Sequence, residues 1–214
     1  MKGVRVFVSG GAGVIGREMI PRLVERGAEI FTGDLKPRPG IFPKSVYYRQ
    51  GDLNTLTCGE LRAFSPQIFI HLAATFERST ESYGHWDDNF WNNVQLSHHL
   101  MTLHKDLPCL QRVVFASSYL IYNPALYQFP GPRTTAVSLR EDAQIFPRNL
   151  TGMAKLSHEV ELQFLQCFKS GQFTSVCARI YRGYGRGSRD VISRWIRSLL
   201  ALSLIHISEP TRRA

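Results

Sequence analysis

Residues 4–16, VRVFVSGGAGVIG, join a short apolar, β-branched run to a glycine-rich turn and the first residues of a helical pattern. Ile15, Met19, Leu23 and Val24 recur on one helical face, with Pro21 inside expected to bend it slightly. Gly27 suits the helix C-terminus, and residues 29–33, EIFTG, restart a strand that stops at Asp34. The unit reads strand, turn, helix, strand. Gly10, Gly13 and Gly16 fall at the first, fourth and seventh places of the turn. One glycine permits the tight turn, one lets the backbone approach a pyrophosphate, and one lets helix and strand pack closely. The helix N-terminal amides, at Val14 and Ile15, then face the phosphates. An acid at the end of the second strand, Asp34, accepts hydrogen bonds from ribose hydroxyls and repels a 2′-phosphate, which favours NAD over NADP.

Working outward, strands are expected at residues 46–49, 67–72, 112–117 and 173–179, and helices near 55–64, 87–104 and 151–168. This alternation predicts an α/β fold, a doubly wound parallel Rossmann sheet. Residues 122–148, rich in Pro and polar side chains, are expected as a long surface loop beside the site. The domain organisation expected is 1–180 for dinucleotide binding, 181–201 for the start of a small C-terminal substrate domain, and 202–214 as a non-native tail. Residues 202–212, LSLIHISEPTR, match the in-frame translation of a sequencing adapter.

The 214 residues carry a formal charge of +9, and without Arg212, Arg213 and Glu209 there remain 24 basic and 16 acidic residues, or +8. The basic residues are dispersed and no aromatic-basic motif accompanies them, so nucleic acid is not the expected partner. No signal peptide and no apolar run of about 20 residues is present, so no membrane span and a cytoplasmic protein are expected. Cys58, Cys109, Cys167 and Cys177 are scattered without metal-ligand spacing and predict reduced, mostly buried thiols and no metal. His98, His99 and His104 are expected as surface or interface residues.

GGAGVIG, Asp34, Gly51-Asp52-Leu53, His71-Leu72-Ala73-Ala74, Asn93-Val94, Phe115-Ala116-Ser117-Ser118, and Arg179 with Tyr184-Gly185 occur in the order seen in extended short-chain dehydrogenases/reductases. Over residues 3–190 the chain resembles the NAD-dependent epimerase/dehydratase family. The resemblance implies cofactor contacts from Gly10, Gly13, Val14, Ile15, Gly16, Asp34, Asp52, Leu53, Ala73, Ala74, Asn93 and Lys155. It places Asp52 and Leu53 at the adenine and Ala73 and Ala74 under the pyrophosphate and ribose. It also implies a nucleotide-sugar substrate hydrogen-bonded by Ser118, and a homodimer paired through two helices. For Ser118 the competing reading is a strand-end serine capping a turn.

One departure bears on activity. The family pairs Tyr and Lys four residues apart on a helix, so that the ammonium lowers the phenol's pKa from about 10. Pro147, Gly152, Lys155 and Glu159 fall in place here, and Thr151 stands at the Tyr position. Three explanations remain open: a base relocated to Tyr119, a chain that binds NAD without turnover, or an error in the sequence. The expected catalytic set is Ser118, Thr151, Lys155 and Tyr119. Tyr122 is expected to pack structurally; Glu77 or Arg78, in the insertion at residues 76–79, are candidates to reach substrate, although a charged loop is usually only solvated. Because Tyr119 and Leu120 stand where related dehydratases carry Asp-Glu, epimerisation or oxidoreduction is favoured over dehydration. The alternative is a catalytically silent regulatory partner of the same fold. These residues alone are expected to bind NAD weakly and to turn over nothing.

Overall fold

The computed structural model describes residues 1–76, 82–169, 171–185, 187–188 and 190–201. Glu77, Arg78 and the 202–214 tail lie outside the described residues. Six strands form one sheet: β1 Arg5–Ser9, β2 Glu29–Asp34, β3 Tyr47–Gln50, β4 Ile68–His71, β5 Arg112–Ser118 and β6 Thr174–Ile180. Their spatial order is β3-β2-β1-β4-β5-β6. β1 pairs in parallel with both β2 and β4, and the β2–β3 and β4–β5 pairs are parallel too. The order reverses between β1 and β4, which opens a crevice at the C-terminal ends of these strands.

Strand side chains alternate between two cores, as a sheet covered on both faces requires. Phe7, Phe31, Phe69, Val113 and Phe115 face a core shared with α2 (Cys58–Phe64), α4 (Leu96–His104) and α5 (Leu150–Phe168). Val6, Val8, Ile30 and Ile70 face the opposite core, which Ile20 of α1 (Val14–Glu25) enters. The continuously apolar runs of β1 and β2 follow from this two-sided burial. α1 contains Pro21 and ends at Glu25, with Arg26 as its cap and Gly27 just beyond at φ +83°. Gly27 N–H donates to the Val24 carbonyl at 2.8 Å and Ala28 N–H to that of Leu23 at 3.0 Å, the paired closure that a left-handed residue allows. α2 opens with a reciprocal Thr57/Glu60 capping box.

Several expectations are corrected. The helix expected over 87–104 is interrupted: α3 (Trp86–Asn89) passes into a π-helical stretch, Phe90–Gln95, before α4. Residues 122–148 form the expected surface loop, mostly exposed, but with local order within it. A 3₁₀ turn at Pro124–Leu126, capped by Asn123, is followed by chain that returns to pair Ile145 with Tyr122 in an antiparallel bridge. The amides of Phe146 and Arg148 donate to the carbonyls of Ile121 and Leu120 at 3.0 and 2.9 Å. His104 is not a surface residue: it is fully buried, stacked on Phe69 at 4.0 Å, and its Nδ1 lies 2.7 Å from the Leu100 carbonyl. Burial pushes its pKa down to about 4, so it sits in the core as a neutral aromatic ring. The thiols are free, but only half-buried at Cys58, Cys109 and Cys177, and exposed at Cys167.

The described residues divide into two compact units, one ending at Arg179 and the other beginning at Ile180. In the second, α6 (Val191–Leu200) is capped by Asp190, which also pairs with Arg182 at 3.3 Å.

Candidate active site

The glycine turn is held by contacts that exclude side chains. Gly10 adopts φ +74°, and a Cβ there would stand 2.6 Å from the Ala73 nitrogen. A Cβ on Gly11 would meet Thr32 Oγ1 at 2.0 Å, and one on Gly16 the Gly11 carbonyl at 2.4 Å. Gly13, at the N-cap of α1, offers no side-chain cap, and no acid sits in the first turn. The positive end of the helix therefore opens onto the crevice with Val14 and Ile15 half-exposed beside it.

Asp34 closes one side. Its Oδ2 accepts the Ala12 N–H and its Oδ1 the Lys36 N–H, each at 3.0 Å, so the carboxylate is aimed by the glycine turn itself. Each oxygen retains a further lone pair for a hydroxyl donor. Asp52 caps a 3₁₀ turn, Leu53–Thr55, by accepting the Asn54 N–H at 2.8 Å. Leu53 is buried beneath Gly33, where a Cβ would come within 2.5 Å of its Cδ2. Leu53 thus shapes the floor by packing.

The segment after β4 is pinned from both sides. Asn93 Oδ1 accepts the Thr75 N–H at 2.8 Å, and its Nδ2 donates to the Thr75 carbonyl at 2.9 Å and to Asn89 Oδ1 at 2.8 Å. Asn93, placed here by the π-helical stretch, therefore positions the strap at Thr75 through the acceptor and one donor of its amide, its other donor going to Asn89. From below, Ser9 Oγ accepts the Ala73 N–H at 3.3 Å and lies 2.6 Å from His71 Nδ1, while His71 Nε2 lies 2.8 Å from Ser97 Oγ. His71 is fully buried, and burial first, then neighbouring His158, Lys155 and His104, hold its pKa well below 6.5. This Ser9–His71–Ser97 chain had no assigned role in the sequence. Its only signal there was polar residues at the ends of apolar strands.

The second cluster lies around the end of β5. Ser118 Oγ accepts the Leu120 N–H at 3.2 Å and caps the 3₁₀ turn Tyr119–Ile121. The turn-capping reading is therefore realised, and the Ser118 O–H remains a donor. The first turn of α5 packs directly on this segment: a Cβ on Gly152 would come within 2.3 Å of the Leu120 carbonyl. Asn149 caps α5 by accepting the Gly152 N–H at 2.9 Å. Thr151 and Lys155 are both buried on one face of α5, and Lys155 Nζ stands 4.7 Å from the centre of the Phe115 ring. Tyr119 packs edge-on against Tyr127 at 5.2 Å. Tyr122 is buried, and its hydroxyl accepts from Arg179 Nη1 at 2.8 Å. Arg179 also grips Glu159 through Nη2 at 2.8 Å, and Glu159 accepts the Ser117 hydroxyl.

Burial alone pushes the Lys155 amine from 10.5 down to about 8. Below pH 8 the fold must carry a poorly solvated ammonium, so its cost is fully present there. Between pH 8 and 10.5 the folded chain releases this proton before the unfolded one does, and stability rises with pH. Lys155→Met is accordingly expected to be more stable than the parent by up to about 3 kcal/mol at pH 7, with the difference vanishing near pH 10.5. Urea unfolding at the two pH values checks this, and equal differences at both would contradict it.

The model of the "NAD dependent epimerase/dehydratase family" matches residues 6–210. The dTDP-4-dehydro-6-deoxyglucose reductase of Escherichia coli is 27% identical over 193 residues, spanning 86% of this chain and 57% of that protein. MoeE5, solved in complex with UDP-glucuronic acid and NAD, superposes with a TM-score of 0.74 at 27% identity, over 91% of this chain and 60% of its own. A UDP-galactose 4-epimerase gives 0.71 at 25% identity, over 92% and 63%. The chain spans about three fifths of the length of these relatives. Sheet order, glycine turn and family match over residues 6–210 agree, and the chain belongs to the NAD-dependent epimerase/dehydratase family.

Proposed function

We propose that the protein binds NAD across the β1/β4 crevice and oxidises, transiently or in net, a hydroxyl-bearing carbon of a nucleotide sugar. The observation that carries this reading is the Asp34 carboxylate, fixed by the Ala12 amide beside a Gly10 that admits no side chain. A pyrophosphate needs that bare backbone and an adenosine ribose needs that acid. The residues present fit the dinucleotide, which when bound supplies a hydride acceptor. The turn at Gly10, Gly13 and Gly16 brings backbone amides to the phosphates, while Asp34 takes ribose hydroxyls and repels a 2′-phosphate. Ser118 donates to the sugar oxygen. Lys155 presents its amine from the floor beside Phe115. The nucleotide-sugar class is supported by the ligands of MoeE5, a relative at 27% identity.

The test is calorimetric binding of NAD and NADP to the full-length protein, followed by a panel of UDP- and dTDP-sugars monitored for reduced-nicotinamide absorbance and altered product. NAD is expected to bind at least ~10-fold more tightly than NADP, a preference narrowed by Asp34→Ala. Equal affinities would overturn the cofactor assignment. Tight NAD binding with silence across every sugar would instead support a second reading, a non-catalytic partner, which the presence of Thr151 one helical turn before Lys155 favours.

A further inference from the structure

Thr151 and Lys155 are one helical turn apart on α5, 7% and 8% exposed, in a floor made by Phe115 and the turn after Ser118. Lys155 makes no ion pair among the described residues. The acid one turn further on, Glu159, is held by Arg179 of β6 and by the Ser117 hydroxyl of β5. His158, also on α5, gives its Nδ1 to Glu161 at 2.7 Å. From β4 the nearby titratable group is His71, which is neutral and bonded to two serines. Tyr122, in the turn beyond Ser118, is bonded to Arg179, and Tyr119 packs on Tyr127. A buried amine with no ion pair among the described residues, one helical turn from a buried hydroxyl, suits a proton acceptor.

We propose that the Lys155 amine is the proton acceptor for the substrate alcohol, with the Thr151 hydroxyl carrying the proton between them. The proposal rests on the hydride-transfer reading above. The substrate O–H bond breaks as its proton moves to Thr151 Oγ, while the proton of Thr151 passes to Lys155 Nζ and forms an ammonium. The alcohol carbon, losing its hydrogen as hydride to the oxidised nicotinamide, becomes a carbonyl carbon, so a hydride and a proton, two electrons and two protons in all, leave the substrate. Thr151 enters and leaves the step as a neutral alcohol, so its weak acidity is no obstacle. Burial lowers the amine to about 8, which leaves a working fraction unprotonated near neutral pH.

Two measurements on the full-length protein test this. Lysines labelled with ¹³C at Cε are titrated by NMR, and Lys155 is assigned by its disappearance in Lys155→Met. A midpoint near 8, against about 10.5 for the exposed lysines, is expected; a midpoint within a unit of theirs overturns the proposal. The pH dependence of nucleotide-sugar turnover is then compared among variants. An acid limb near the Lys155 midpoint is expected, with kcat lowered roughly 100-fold in Thr151→Val and retained within about tenfold, limb in place, in Thr151→Ser. Turnover that appears only in Thr151→Tyr overturns the proposal while the hydride-transfer reading stands. A collapse in Tyr119→Phe with Thr151→Val unaffected assigns the proton to the phenol and also overturns it. Silence of both the parent and Thr151→Tyr refutes the hydride-transfer reading, and the proposal with it.

Discussion

Gly10→Ala is expected to abolish measurable NAD binding and to destabilise the fold by about 3 kcal/mol or more. Two effects add. A left-handed backbone costs an L-residue about 1–2 kcal/mol, and Gly10 holds φ +74°. The added methyl would also stand 2.6 and 2.7 Å from the Ala73 nitrogen and Cα, closer than any real contact and against backbone that cannot rotate away. Ala73 itself is tied to Ser9 through its amide, and the neighbouring Thr75 to Asn93. The strap can retreat only by breaking those bonds, so the cost falls on the crevice directly. Gly40→Ala is the control, because nothing lies within 4 Å of a Cβ there; its unfolding midpoint is expected to move by less than about 0.5 kcal/mol. Urea unfolding and calorimetric NAD titration of both variants check the pair. A Gly10→Ala protein with parental stability and affinity would show that the turn is not built as described.

Glu159→Ala is expected to cost about 3 kcal/mol, through a different mechanism. Its carboxylate is buried, with Oε2 2.8 Å from Arg179 Nη2 and the Ser117 hydroxyl on Oε1. Removing the acid leaves Arg179 as an uncompensated charge in a partly dry site, and breaking one half of a buried pair typically costs about 3–5 kcal/mol. The lower end applies because the Arg179 side chain keeps 21% of its exposure. Arg179 also donates to the Glu141 carbonyl at 2.7 Å and to Tyr122, so the loss loosens the returning segment over the turn after Ser118. The double variant Glu159→Ala/Arg179→Met is expected to cost at least about 1 kcal/mol less than the two single losses combined, since no charge is then left unpaired. A double-mutant cycle by urea unfolding measures that coupling; additive losses would mean the pair does not act as a unit.

Much of the fold is legible in the chain. Residues 4–9 and 29–34 are largely apolar because both sheet faces are covered, and the glycine spacing marks a place where helix, strand and strap approach without side chains. Asp34 follows from the same logic, as the acid at the end of the second strand. The pairing of Thr151 with Lys155 also needs no structure, because four residues on a helix bring two side chains to one face whatever surrounds them.

Other features depend on partners far away in the chain. His104 reads as a polar helix residue and is buried because Phe7 and Phe69 arrive from strands 97 and 35 residues away in sequence. The chain of Ser9, His71 and Ser97 links two strands and a helix across 88 residues. Residues 122–148 lack any period because the returning segment is held by the 120–123 backbone and by Arg179, not by a repeating face. Asn93 carries no mark of its task until a π-helical stretch turns its amide onto Thr75.

The sequence by itself therefore determined the strand and helix order, the dinucleotide turn, the acid at its rim and the Thr151–Lys155 pair, since each rests on periodicity or spacing within a few residues. It took the assembled tertiary structure to bury the lysine with no ion pair among the described residues, to make Ser118 cap a turn, and to set Asn93 and His71 to hold the strap. Burial and hydrogen-bond geometry are properties of surfaces brought together from distant segments, and they exist only once the sheet has assembled.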